Sequence, residues 1–220
     1  MSERQSKVLI VDDHPLVRLW LGHLIEDQTD LTVCGEADNL REAWKQIEIE
    51  TPDIVILDVS LPDGTALELI KSIKNGYPKL PVLVLSMHDE KIYAERVVRA
   101  GARGFVMKKE TADRIMDAIY DVLRGKIAVS DAVAASFAEK FGEGRSPPSG
   151  PRVERLSDRE LEIFELIGAG VDTRTIASNL RISIKTVQTH CAKIKEKLEL
   201  ENATELLREA LRWNEFEPRS

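Results

Sequence analysis

Five residues of this chain stand where their chemistry could be used together. They are the adjacent carboxylates Asp12 and Asp13, the carboxylate of Asp58, the hydroxyl of Ser86 and the ammonium of Lys108, and each follows a short apolar run. Three carboxylates brought close repel one another and favour a bound hard cation. Mg2+ suits such a place, because it takes one or two carboxylates, keeps several waters and accepts phosphate oxygens for the rest. A carboxylate beside that ion can attack a phosphoryl group and become an aspartyl phosphate, with Asp58 as the nucleophile. The metal and a lysine neutralise charge on the transferring oxygens, and a hydroxyl can hydrogen-bond the product. Taken singly, the residues have plainer readings: Asp13 as a helix cap, Asp58 as a loop residue, Lys108 as a solvated cation. Their shared position, each at the end of an apolar run, favours the common site.

The apolar runs alternate with helical patterns. Residues 7–12, 31–36, 54–57, 81–85 and 103–107 read as strands, and 16–25, 40–49, 66–73, 92–100 and 115–123 follow helical spacing. Five strand–helix units with continuously apolar strands predict an α/β fold, a doubly wound five-stranded parallel sheet covered on both faces. Ligands of such sheets bind outside the carboxyl ends of the strands, at the switch point. All five residues above belong to that edge.

Residues 126–152 read as a linker with room for a short helix over 134–141, and 142–151 is dominated by Gly, Pro and Ser. After it the pattern is all helix. Ser157 and Glu160 have capping-box spacing, a short helix spans 173–180, Ser183 caps a helix running to Leu198, and Asn202 with Glu205 resembles a second box opening a fourth helix. The expected domains are therefore 1–125, the linker 126–152, and a four-helix unit over 153–220.

Charge is unevenly shared. The net charge of −7 divides into −6 over residues 1–150 and −1 over 151–220, so the first part repels nucleic acid. Within the second part, residues 182–198 (ISIKTVQTHCAKIKEKL) hold four lysines and one glutamate. Helical spacing puts Ile184, Val187, Cys191, Ile194 and Leu198 on a core face, with Lys185, Thr189, Ala192, Lys193 and Glu196 opposite and Gln188 on a flank. Lysines on such a face can meet phosphates, and Gln or Thr can reach base edges; the plainer alternative is a solvated basic face. The short helix and tight turn before it complete a helix-turn-helix, whose DNA-contacting set is Lys185, Thr186, Gln188, Thr189, Ala192 and Lys193. Cys34 and Cys191 offer neither a disulfide framework nor metal-ligand spacing and read as packing residues. The polar N-terminus and the short apolar run behind it lead us to expect a cytoplasmic protein with no membrane segment.

The stretches VLIVDDHPLV, DIVILDVSLPDG, PVLVLSMHD and GARGFVMKK resemble the receiver domain of bacterial two-component response regulators over residues 7–125. The resemblance implies that Asp58 is the phosphoacceptor. It implies that Asp12, Asp13 and the Ser60 backbone carbonyl join Asp58 in holding Mg2+. Ser86 and Lys108 would be the phosphate-reading pair, and Phe105 the aromatic that reports phosphorylation. Lys109 stands where many receivers have proline. Residues 153–217, through LSDRELEIFELIGAG, TIASNLRISIKTVQTH and KIKEKLEL, resemble the LuxR-type DNA-binding domain of NarL/FixJ-like regulators. Gln188 and Ala203 stand where that family usually has cations, and Arg174-Thr175 where it often has Lys-Glu, which predicts fewer phosphate contacts and a shallower salt dependence. In that family the fourth helix is the dimer contact, here Leu206, Leu207, Ala210 and Leu211, although some of these must also close the domain's own core. The implied partners are a sensor histidine kinase, double-stranded DNA and, when phosphorylated, a second copy of the chain. No catalytic turnover is implied beyond slow loss of the phosphoryl group. Two alternatives stay open: a receiver-like DNA-binding protein controlled independently of phosphate, and a phosphatase-like hydrolase of small substrates, for which the sequence supplies neither a glycine-rich substrate loop nor an additional general acid.

Overall fold

Val8, Leu9, Ile10 and Val11, the last four residues of strand β1 (Ser6–Val11), are fully buried, so this strand has to be covered on both faces. The computed structural model, which describes residues 4–142, 152–180 and 182–216, provides that cover. The chain runs through α1 (Pro15–Glu26), β2 (Leu31–Ala37), α2 (Leu40–Glu50) and β3 (Ile54–Asp58). A small antiparallel hairpin, β4 (Ser60–Leu61) and β5 (Gly64–Thr65), precedes α3 (Ala66–Gly76). Then come β6 (Val82–Ser86), α4 (Glu90–Ala100), β7 (Gly104–Met107) and α5 (Ala112–Leu123). The five long strands form one parallel sheet in the order β2-β1-β3-β6-β7, the doubly wound fold expected from the sequence. Its register sets Asp58 beside Leu85 and Ser86 beside Met107, so the strand ends share one edge.

The hairpin was not foreseen, because two-residue strands are too short to show any alternation. Its turn residue Asp63 accepts hydrogen bonds from the Leu40 and Arg41 amides (2.7 and 3.2 Å). It thereby satisfies two of the free N–H groups at the start of α2, while Asn39 caps the Glu42 amide at 2.9 Å. The chain directly after Asp58 is thus tied to a neighbouring helix.

The end of this part also differs from expectation. Residue 125 does not close it. Ala128 is buried in the main core and pairs in parallel with Gly104 at the β7 edge of the sheet. A parallel sheet edge carries unpaired backbone groups, and this segment satisfies two of them. The next helix, α6, spans Asp131–Gly142, longer than the one read from the sequence. The two compact units of the chain divide between Ala138 and Glu139, inside α6. The Pro/Gly-rich segment over 143–151 lies outside the described residues. No cis peptide bond occurs among the described residues, so Lys108–Lys109 is trans.

The second unit is helical. A 3-10 turn (Arg152–Arg155) leads to α7 (Asp158–Gly168), α8 (Thr173–Asn179), α9 (Ile184–Leu198) and α10 (Ala203–Phe216). The Ser157–Glu160 capping box forms as expected. The second box forms in altered shape. Asn202 accepts the Glu205 amide at 3.0 Å, but the Glu205 carboxylate takes the Glu201 amide, one residue earlier than a standard box. Ile163, Phe164, Ile176, Val187, Ile194, Leu206 and Ala210 make up much of the core. The α7–α10 crossing is so close that a Cβ on Gly168 would collide with the Ala210 carbonyl. An added methyl in a helix ordinarily stabilises by roughly 0.5–1 kcal/mol. Here Gly168→Ala should instead destabilise the second unit by about 1–3 kcal/mol, the cost of overpacking. Denaturant unfolding of the full chain measures this, and unchanged or raised stability would contradict the packing described.

Candidate functional site

Asp12 follows β1, Asp58 ends β3, and Lys108 follows β7. The Lys108 ammonium lies 2.8 Å from an Asp12 oxygen and 2.9 Å from an Asp58 oxygen. All three side chains are at least nine-tenths buried. Strand β6 separates β7 from β3, so Lys108 spans two strand spacings of about 4.8 Å each. Only a long cationic side chain reaches that far. The Asp58 carboxyl is pushed up to about 6, with burial the largest cause; Lys108 opposes the rise, and the Asp12 and Asp13 carboxylates add to it. Burial alone would lower the Lys108 ammonium, but Asp58 and Asp12 outweigh it and hold its pKa above the ordinary value.

Asp13 is more open and pairs with the His14 ring at 2.7 Å. Asp12, Asp13, His14 and Asp58 each offer a ligand atom within 4.8 Å of the others. His14 was missed in the sequence, although it directly follows the Asp pair in VDDHP. Arg18 stands behind the site, donating to the Asp12 backbone carbonyl at 2.7 Å and to Glu36 at 3.1 Å.

Ser86 is fully buried. Its hydroxyl accepts the His88 amide at 3.0 Å, and its carbonyl accepts the Lys108 amide at 2.8 Å. The buried His88 ring makes a 2.8 Å hydrogen bond with the Ser60 hydroxyl and packs on Tyr93 of α4, ring centroids 4.7 Å apart. His88 was likewise not singled out, and its place two residues past Ser86 on the same loop is the signal that could have found it. Phe105 is buried within β7, inside the core.

In the second unit the helix-turn-helix forms from α8 and α9. Asp172 caps α8, accepting the Arg174 and Thr175 amides, and Ser183 caps α9 by accepting the Thr186 amide at 3.0 Å. Lys185, Gln188, Thr189, Ala192 and Lys193 are exposed on α9. Thr186 is half-buried, and its hydroxyl is engaged by Ser183 at 2.8 Å. The Thr189 hydroxyl donates to the Lys185 carbonyl, which leaves its oxygen free to accept. The core face is narrower than its spacing implied. Val187, Ile194 and Leu198 are buried and Cys191 is half-buried, but Ile184, the first residue of the helix, is 43% exposed.

The four fourth-helix residues divide. Leu206 and Ala210 are buried in the unit's own core, so they are not free to contact a second copy, whereas Leu207 and Leu211 are exposed. A four-residue spacing puts each pair on its own face of α10.

Residues 8–120 match the model of the response regulator receiver domain, and 154–210 match that of the bacterial regulatory proteins of the luxR family. The chain is a response regulator. It is 32% identical to the oxygen regulatory protein NreC of Staphylococcus carnosus over 94% of this chain and 97% of that one. It is 33% identical to the transcriptional activator protein ExaE of Pseudomonas putida over 93% and 95%. Among solved structures it resembles the RcsB response regulator of Salmonella typhimurium (TM-score 0.76, 25% identity, 96% of this chain and 98% of that one). It also resembles RcsB bound to the promoter rprA in the presence of the phosphomimetic BeF3- (TM-score 0.71, 26% identity, 93% and 98%). No described helix is long and apolar enough to cross a membrane.

In this regulator's luxR-family domain, one buried carboxylate joins the start of α7 to the end of the basic helix. Glu160 accepts the Ser157 amide at 2.8 Å and the Lys197 ammonium at 2.6 Å. Lys197, although its side chain is 37% exposed, is thereby tied to the domain, unlike Lys185 and Lys193. Burial pushes the Glu160 carboxyl up, but Lys197 and the Ser157 donors outweigh it and hold it below the ordinary carboxylate value. A carboxylate depressed in the fold contributes stability that is present above the unfolded pKa of about 4.3 and lost as the pH falls through the folded value. Glu160→Gln should lower the stability of this unit at neutral pH by about 1–2 kcal/mol and flatten its loss on acidification. Unfolding curves at neutral pH and near pH 4 test both, and an unaltered acid slope would contradict the assignment.

Proposed function

We propose that this response regulator is switched by phosphorylation of Asp58 and controls transcription through α9. The observation that carries the reading is the buried Asp12–Lys108–Asp58 cluster at the carboxyl edge of the sheet. A cation among carboxylates is the arrangement that phosphoryl transfer needs. A histidine kinase is the donor. An Asp58 oxygen forms the new P–O bond as the donor's P–N bond breaks, and the imidazole nitrogen keeps the electron pair. Asp12, Asp13 and Asp58, with the Ser60 carbonyl, are the hard oxygen donors that would hold Mg2+, and the proximity of their ligand atoms fits it. When bound, the ion neutralises charge on the phosphoryl oxygens. Ser86 and Lys108 engage the new phosphoryl group, and Phe105 packs according to that state. Helix α1 starts at the acidic site and exposes Leu16, Leu19 and Trp20, an apolar stripe suited to a docked kinase.

Lys185 and Lys193 meet DNA phosphates, while Gln188, Thr189, Ala192 and the half-buried Thr186 line the base-facing side. The relative bound to promoter DNA with a phosphomimetic supports this use of the same fold. A pair of chains, joined through Leu207 and Leu211 of α10, would set two recognition helices about one DNA turn apart. Working on DNA places the protein in the cytoplasm of its cell.

Asp58→Asn should reduce labelling by a small phosphodonor with Mg2+ to background, and undiminished labelling would remove Asp58 as acceptor. The pair Lys185→Ala and Lys193→Ala should weaken binding to a mixed-sequence duplex and shrink the slope of log K against log salt by about 2, near 0.9 per lost phosphate contact. An unaltered slope would move the DNA-facing surface elsewhere.

A further inference from the structure

The segment over 126–130, which follows α5, is built onto β7, the strand that leads into Lys108. The Phe105 amide donates to the Ala128 carbonyl at 2.8 Å, and the Ala128 amide donates to the Arg103 carbonyl at 2.9 Å. The approach is close because residue 104 is glycine; a Cβ there would lie 2.7 Å from the Ala128 carbonyl oxygen. Arg114 of α5 holds the next residue, donating to the Val129 carbonyl at 3.1 Å. Ser130 then opens α6: its hydroxyl accepts the Val133 amide at 3.2 Å, and its carbonyl accepts the Ala134 amide at 2.9 Å. Val133 is buried. The strap is therefore held at Ala128, Val129 and Ser130, from β7 to α6, the helix within which the two compact units divide.

The other end of β7 stands on the acidic site. This strand has four residues, and Lys108 follows it directly, with its ammonium between Asp12 and Asp58 and its amide on the Ser86 carbonyl. A phosphoryl group on Asp58 adds close to two negative charges and new acceptors, so the partners of Lys108 must change. A short hydrogen-bonded strand answers such a pull as a unit, because its neighbours on both sides are closely packed. We infer that the strap over 126–130 is a positioning element that couples β7 to α6, with Gly104 and Ala128 as its joint, so that phosphorylation at Asp58 is felt in α6. This rests on the phosphoacceptor reading above, and the test separates the two.

The test follows amide hydrogen exchange residue by residue in the full chain, with and without beryllofluoride and Mg2+, while fluorine NMR reports the bound probe. In the wild type, exchange at Ala128 and along α6 as far as residue 138 should change by about threefold or more when the probe binds. Ala128→Pro removes the donor to Arg103, and Gly104→Ala presses on the joint from the other side. Both variants should still bind the probe and lose the response in α6. A bound probe with unaltered α6 exchange in the wild type would overturn the coupling, as would a full response in both variants. Loss of probe binding in both variants would overturn it too, making the strap part of the acidic site's own framework. Absence of any bound fluorine signal in the wild type would instead sink the acidic-site reading.

Discussion

One buried ammonium group among carboxylates organises the first unit. Asp12 and Asp58 stand at the ends of adjacent strands, at the point where the strand order reverses. Without a cation their mutual repulsion and desolvation would oppose closing that edge of the sheet. Lys108 supplies the charge from the far side of β6, and only its long stem makes this geometry available. The same ion pairs leave the site responsive. A buried pair of this kind contributes little net stability, because desolvation offsets attraction, but it makes the local structure sensitive to any new charge. Next to it, His88 links Ser86 to the Ser60 hairpin by hydrogen bonds, and the Ser86 carbonyl accepts the Lys108 amide.

The second unit repeats the principle with a different purpose. Glu160 closes the α7 capping box and also anchors Lys197, so one side chain fixes both a helix start and the far end of the basic helix. This sorts the lysines of α9. Lys197 is spent on the domain, and Lys185 and Lys193 are left on its surface. The near-zero charge of this unit therefore hides a locally basic face.

Much of this was legible because period and position carry it. Five apolar runs separated by amphipathic helices leave one economical fold, and the rule that ligands sit at the carboxyl ends of its strands selects Asp12, Asp13, Asp58, Ser86 and Lys108 without coordinates. Less was legible where a residue's role depends on a partner distant in sequence. His88 reads as an ordinary loop residue until Ser60 and Tyr93 are beside it. Ala128 reads as linker, since nothing local shows that Gly104 leaves room for it. Ile184 and the fourth-helix leucines show the limit of spacing alone, which assigns faces but not what covers them.

The sequence by itself determined the class of fold, the acidic edge and the basic helix, because these follow from short-range periodicity and from residue types at strand ends. The tertiary structure decided which cations are held by carboxylates and which lie open: Lys108 and Lys197 are paired, Lys185 and Lys193 are exposed. It also decided that Leu206 and Ala210 serve the core while Leu207 and Leu211 remain open. The physical reason is that burial and ion pairing depend on what packs against a side chain. Periodicity along one helix or strand does not contain that information.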